Sequence, residues 1–217
     1  MKIMQSIIEN SMPVWEQCVQ EKFLSEMMED TLSKQKFLDY IVQDSIYLRD
    51  YLRAYAMAIV KSHSFKEMQV FYSALGFVND SENVTRLKYL KDNGMTDEDV
   101  EQVAKLPECA AYTKFLIDTS QKEDTPEILM SVLPCMVGYH LVFEKVKQRA
   151  PKILDSYYGP LVEDYTSAAY SACCDEWTAF ADTLCENLDA ERQEGLRKIF
   201  VRACEHELYF WQMAGRE

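Results

Sequence analysis

Apolar residues recur at steps of three and four along nearly the whole chain, and that spacing collects them on one face of successive α-helices. Six glycines and six prolines among 217 residues leave little material for the turns that a β-protein needs. The pattern predicts an all-α fold, a compact multi-helix bundle. No Gly/Ser/Pro-rich stretch, block of like charge or internal repeat interrupts it, so residues 1–217 are expected to form a single domain.

Capping and breaking residues set the expected helices. Ser11 with Pro13 should start one that contains Trp15 and Phe23, and Ser33 should cap a long one running to about Ser62. Ser64 and Glu67 read as a capping box for a helix that continues to about Asn93 and ends on Gly94. Thr96 and Asp99 open a short helix closed before Pro107, and another surrounds Tyr112. Asp124, Pro126 and Glu127 start a helix running to about Gln148, and Pro151 and the YYGP segment at 157–160 mark the next break. A helix from Leu161 towards Glu186 and a last one from Ala190 onward complete the pattern.

Composition narrows the possible partners. Charged residues break every apolar run well before the roughly 18 uninterrupted positions that suggest a membrane span. The N-terminal segment lacks the apolar core and small-residue cleavage site of a secretory signal, which makes a cytoplasmic location the expectation. Seven cysteines without a CxxC pair look like reduced, mostly buried thiols rather than a disulfide frame or a zinc site. A formal charge of −13 with scattered basic residues disfavours nucleic acid and anionic lipid, and is compatible with a neutral or cationic small molecule.

Three helical rows are apolar except at one position each. Phe37, Ile41, Asp44, Leu48, Tyr51 and Tyr55 follow one another at helical steps, with Asp44 the single charge among them. A carboxylate among aromatics is costly unless it finds partners, so Asp44 is either structural glue satisfied by Tyr40 or Tyr47, or a functional acid. In the last helix Leu196, Phe200, Ala203, Glu207, Phe210 and Ala214 repeat the pattern, which selects Glu207 over Glu205 as the inward acid. The third row is Ile128, Val132, Cys135, Tyr139 and Phe143, with Pro134 directly before the cysteine. A proline there removes a helical hydrogen bond and frees a backbone acceptor beside the thiol. The other six cysteines lack such a context and read as small buried hydrophobes. Among thirteen tyrosines, Tyr47, Tyr51, Tyr112, Tyr139 and Tyr165 lie on faces that can turn inward, where a ring with a hydroxyl at its rim suits a planar heterocycle.

Several chemistries find no support in the residues. The paired Glu-x-x-His of carboxylate-bridged di-iron bundles is missing, and none of His63, His140 and His206 lies in the first helices to ligate a haem. There is no phosphate-cradling glycine loop and no GxSxG elbow. What remains is a thiol, two carboxylates and tyrosines.

Those residues fall in QDxxYL at 43–48, PCxxxY at 134–139 and ExxFWxMA at 207–214, and with them the chain resembles the TenA, or thiaminase II, family over essentially its full length. The resemblance implies the heme-oxygenase-like helical fold without the haem, no cofactor, a homotetramer to which an exposed Trp211 could contribute, and a role in thiamin salvage. It implies that Cys135 is the nucleophile, Glu207 the general acid/base, and Asp44 the acid that binds the exocyclic amine and adjacent ring nitrogen of a 4-aminopyrimidine. Tyr47, Tyr112, Tyr139 and Tyr165 match the family's aromatic and hydroxyl lining, and Phe210 a stacking ring. A cysteine at 135, rather than the glutamate of another branch, assigns the chain to the cysteine class. The implied substrate is 4-amino-5-aminomethyl-2-methylpyrimidine or thiamin, hydrolysed to 4-amino-5-hydroxymethyl-2-methylpyrimidine. Where many members carry a Glu and a His one turn apart, this chain has Glu82 and Arg86. Two rivals stand beside this reading: a non-catalytic binding or regulatory protein for thiamin-related pyrimidines, and a different enzyme on the same fold, such as an oxidase of a polycyclic substrate.

Overall fold

The structure is a computed structural model; its description covers residues 2–80 and 82–216, without the side chains of 76–80, 82 and 83. Among the described residues there are eleven α-helices and no strand. They are α1 Ile3–Gln20, α2 Lys22–Met28, α3 Lys34–Lys61, α4 Phe65–Asp80, α5 Glu82–Asp92, α6 Asp97–Glu101, α7 Pro107–Lys122, α8 Thr125–Arg149, α9 Gly159–Tyr165, α10 Ala168–Cys185 and α11 Ala190–Ala214, with a 3₁₀ turn at Pro151–Asp155. The all-α expectation holds.

The chain divides into two compact units, one formed by Leu32–Ile128 and the other by Met1–Thr31 with Leu129–Glu217. In the first, α3 is the central helix, and α4, α5, α6 and α7 all pack against it. Ser33 starts α3 as its sequence suggests, its side chain accepting from Lys36 N. In the second unit α1 packs on α10 and α11, α2 on α1 and α11, and α9 on the 3₁₀ turn and α10. Aromatic contacts tie α8 into the same core, with Tyr139 against Trp211 of α11 at 5.1 Å and against Tyr165 of α9 at 5.0 Å between ring centroids.

The structure corrects several boundaries. Pro13 does not start the first helix but lies inside α1, and Ser11 donates back to Ile7 O at 2.9 Å instead of capping. Burial of Ile3, Met4, Ile7, Ser11, Trp15 and Cys18 along one continuous face outweighs the hydrogen bond lost at the proline. Phe23 belongs to α2, because Glu21 is extended and ends the first helix. Of the helix expected from Ser64 to Asn93, α4 and α5 cover Phe65–Asp80 and Glu82–Asp92, and position 81 lies outside the described residues. Ser64 Oγ does accept from Glu67 N, but the Glu67 carboxylate accepts from His63 N rather than closing the box on Ser64. The single helix expected from Leu161 to Glu186 is two, since Ser167 accepts from Tyr170 N and starts α10 afresh. Trp211, expected at an exposed interface, is 1 % exposed and packs on Phe23 and Tyr139.

By length and composition α8 could cross a membrane, a point that a search for unbroken apolar runs misses. Its apolar window is 83 % buried within the folded chain, as a core helix is. Pro134 lies inside this helix, which runs on through it.

Close approach explains one glycine of α8. A Cβ on Gly138 would lie 2.7 Å from the indole nitrogen of Trp15, a rigid ring held edge-on to Phe200. Overpacking of this kind costs about 1–3 kcal/mol, against about 1 kcal/mol that alanine returns in helix propensity. Gly138→Ala is therefore expected to lower the urea midpoint, by a net loss of up to about 2 kcal/mol, and Gly138→Val to lower it further; a midpoint at or above the parent's would show that Trp15 has room to move.

Candidate functional site

All eight residues expected to carry the chemistry are buried, three in one unit and five in the other. In the Leu32–Ile128 unit these are Asp44 and Tyr47 on α3 and Tyr112 on α7. In the other unit they are Cys135 and Tyr139 on α8, Tyr165 on α9, and Glu207 and Phe210 on α11.

Two acids on α3, six positions apart, are both buried and differ in their surroundings. Asp50 accepts from both Arg53 and Lys105, and Lys105 also donates to Thr113 Oγ1 at 2.9 Å. Burial opposes its ionisation, but the Lys105 and Arg53 hydrogen bonds outweigh it and hold the carboxyl below the usual range. Asp44, 7 % exposed, has no such clamp. Burial pushes its carboxyl from 3.8 up to about 7, opposed only in part by the charge of Arg86 acting through space. Neither Tyr40 nor Tyr47 supplies the bond that would make Asp44 structural glue. Asp50 is thus a permanent ion pair, whereas Asp44 can carry or release a proton near neutral pH.

The residue before Asp44 fixes the neighbouring helix. Gln43 donates to Ala104 O at 3.0 Å and accepts from Leu106 N at 2.9 Å, clamping the segment that leads into α7. Tyr112 of α7 then lies 4.7 Å from Tyr47, ring centre to ring centre, and Tyr47 lies 5.7 Å from Tyr51. Cys109, in the same helix, donates to Gln43 O at 3.6 Å, and burial pushes its thiol up to about 12.

In the second unit Cys135 is 9 % exposed, one turn before Tyr139. Tyr139, Phe143, Tyr165 and Trp211 form one ring cluster in which Phe143 and Tyr165 stack at 5.2 Å and 6°. His140 Nδ1 donates to Tyr165 O at 2.9 Å and ties the end of α9 to α8. Glu207 is 3 % exposed, while Glu205 reaches solvent and pairs with Arg202 at 2.9 Å, as the helical spacing requires. The thiols of Cys18 and Cys204 are pushed far up, first by burial and further by the charge of Glu207. These thiols remain protonated and are poor nucleophiles. Burial and the charge of Arg202 also lower His206 to about 4, so its ring is neutral beside Glu207.

Arg86, Gln43 and His140 were not identified from the sequence as parts of these arrangements. Arg86 was noted only as a departure from the family pattern; it donates to Ser45 Oγ at 2.7 Å, while the side chain of Glu82 lies outside the described residues. A polar residue next to an expected site residue was the available signal for Gln43 and His140. Among the described residues no group of three His, Cys, Asp or Glu side chains could hold a metal ion.

Comparison with known proteins gives one family. The model of the TENA/THI-4/PQQC family matches residues 8–217. An aminopyrimidine aminohydrolase of Halalkalibacterium halodurans is 26 % identical over 217 residues, covering 100 % of this chain and 97 % of its own. A TenA family transcription regulator from Silicibacter sp. TM1040 superimposes with a TM-score of 0.88 at 26 % identity, covering 100 % of this chain and 97 % of its own. A domain from Shewanella denitrificans with a heme oxygenase-like fold gives a TM-score of 0.73 at 13 % identity over 97 % of this chain and 89 % of its own. The fold is therefore heme-oxygenase-like, as the sequence motifs imply.

The raised carboxyl of Asp44 has a consequence for stability. The folded protein holds this proton up to about pH 7, whereas an unfolded aspartate releases it near 3.8. The resulting stabilisation is fully present below that lower value and is lost as pH rises through the higher one. Thermal unfolding at pH 5 and pH 8 should show a smaller loss of stability for Asp44→Asn than for the parent; equal losses in both proteins would mean that Asp44 ionises at its ordinary pH.

Proposed function

The chain belongs to the TENA/THI-4/PQQC family, and we propose that it is a hydrolase of aminopyrimidines that uses Cys135 as its nucleophile. The observation that carries this reading is the buried carboxyl of Asp44, pushed up to about 7, on the helix whose Tyr47 ring packs against Tyr51 and Tyr112. A 4-aminopyrimidine presents an N–H donor beside a ring nitrogen acceptor, and a carboxyl group that holds its proton at neutral pH matches that edge with one acceptor and one donor. The relative from Halalkalibacterium halodurans, an aminopyrimidine aminohydrolase matched over full length, supports the same substrate class.

The proposed substrate is 4-amino-5-aminomethyl-2-methylpyrimidine or thiamin. Displacing an amine or a thiazole directly from a CH₂ group is slow. Addition of the Cys135 thiolate to the electron-poor ring forms a C–S bond and leaves an electron-rich adduct, while a ring nitrogen takes a proton. The adduct expels ammonia or the thiazole from the methylene carbon. Water then adds to that carbon, the C–S bond breaks, and the thiolate returns with the hydroxymethylpyrimidine as product. Asp44 orients the ring through its amine edge. Glu207 protonates the leaving amine and takes a proton from the incoming water. Tyr47, Tyr112, Tyr139, Tyr165 and Phe210 supply ring faces and hydroxyls to the substrate. No cofactor enters these steps.

A regulatory or carrier role is the second reading, favoured by the likeness to the Silicibacter transcription regulator. Turnover separates the two. Purified protein is expected to release ammonia from the aminomethylpyrimidine or thiazole from thiamin, and the ratio of kcat/KM for the two identifies the preferred substrate. Cys135→Ser should lose activity by about 10³-fold or more with ligand affinity nearly unchanged, and Glu207→Gln should lose about 10²–10⁴-fold. Binding of both pyrimidines without turnover by the parent protein would favour the carrier, and a fully active Cys135→Ser protein would remove the nucleophile.

A further inference from the structure

Helix α5 brings a guanidinium to the part of α3 that carries Asp44. Arg86 Nη1 donates to Ser45 Oγ at 2.7 Å. Ser45 commits its own proton to Ile41 O at 2.6 Å, so the serine oxygen meets the arginine as an acceptor and fixes its position. Ser45 follows Asp44 directly in the chain, and the charge of Arg86 favours the ionised form of that carboxyl. Among the described residues, the other group on a packed helix whose charge is coupled to Asp44 is the Cys109 thiol of α7, which stays protonated.

Asp50 shows what a tighter arrangement does. Two cations bound directly to its carboxylate hold it ionised. Arg86 acts on Asp44 through space instead, from an anchor on the adjacent serine, and leaves the carboxyl able to gain and lose its proton near neutral pH.

We propose that Arg86 is a positioning residue: held on Ser45, it is the counter-charge for the carboxylate that Asp44 leaves when it hands its proton to the ring nitrogen of a bound aminopyrimidine. The proton moves from the carboxyl oxygen to the ring, which becomes cationic as Asp44 becomes anionic, and the transfer reverses before product leaves. Without Arg86 that anion would be buried with no charge to offset it, which disfavours the transfer. This inference rests on the reading of Asp44 as the acid that binds an aminopyrimidine, and it gives the departure at position 86 a function.

The test follows the Asp44 carboxyl directly in the ligand-free protein, by ¹³C NMR of labelled aspartate between pH 5 and 9, with the signal assigned by its loss in Asp44→Asn. Arg86→Met should raise the Asp44 midpoint by about one pH unit or more, Arg86→Lys should restore most of the difference, and Ser45→Ala should shift it upward by less. Calorimetric binding of 4-amino-5-hydroxymethyl-2-methylpyrimidine at pH 6, where Asp44 is protonated in both free proteins, should weaken about tenfold in Arg86→Met. Unchanged midpoints in Arg86→Met and Ser45→Ala, in proteins that still bind the pyrimidine, would overturn the role of Arg86. A shifted midpoint in a protein whose parent binds no pyrimidine would instead overturn the substrate reading while leaving the Arg86–Asp44 coupling in place. Circular dichroism identifies a variant that fails to fold, in which case Ser45→Ala and Arg86→Lys carry the test.

Discussion

Removing a carboxyl group from water costs on the order of several kcal/mol if it stays charged, and among the acids this chain buries are Asp44 and Asp50 on α3 and Glu207 on α11. Asp50 is neutralised by Arg53 and Lys105, which makes it a fixed part of the packing between α3 and α7. Asp44, on the same helix, has no hydrogen-bonded cation and meets the cost by keeping its proton until about pH 7. Glu207 lies on the buried face of α11, with two protonated thiols, Cys18 and Cys204, in its field. The same desolvation therefore gives one structural ion pair and one carboxyl that can exchange a proton, and the placement of cations separates them.

Burial sorts the cysteines in the same way. A thiol removed from water and set near a carboxylate is harder to ionise, which describes Cys18 and Cys204, while Cys109 is held up by burial with Asp44 and Asp50 adding to it. None of the seven cysteines forms a disulfide. Such thiols fill space as small hydrophobes. Chemistry by one cysteine in a chain with seven is easier to confine when its neighbours are kept from forming thiolates.

The three interrupted rows were legible because helical periodicity encodes facing directly: every member of the Asp44, Cys135 and Glu207 rows is buried, and Glu205 is not. Caps with a side-chain oxygen at the right offset, Ser33 and Thr96, were legible for the same local reason. Where a local rule competed with burial, the reading failed. Pro13 looked like a helix start, yet the apolar face of α1 continues through it; Ser167 looked like part of a long helix, yet its hydroxyl starts a new one. Trp211 could not be placed because its row position, one residue past Phe210, gives no hint that Phe23 and Tyr139 close over it. The link from Arg86 to Asp44 is invisible in the sequence, since Arg86 is anchored on Ser45, 41 positions away on another helix.

The two units share one way of holding their rings. In each, a polar side chain next to an expected site residue turns away from it by the roughly 100° between successive helical positions and binds the backbone of another segment. Gln43, before Asp44, holds Ala104 and Leu106 ahead of the helix that carries Tyr112. His140, after Tyr139, holds the carbonyl of Tyr165 itself. In both cases the segment so bound supplies the partner ring, Tyr112 against Tyr47 and Tyr165 against Tyr139. Ring stacking alone is weak and tolerates sliding, whereas a backbone hydrogen bond from the adjacent helical position sets the distance at which the two rings meet. A planar ligand that depends on the spacing of such rings would feel the loss of Gln43 or His140 without touching either side chain.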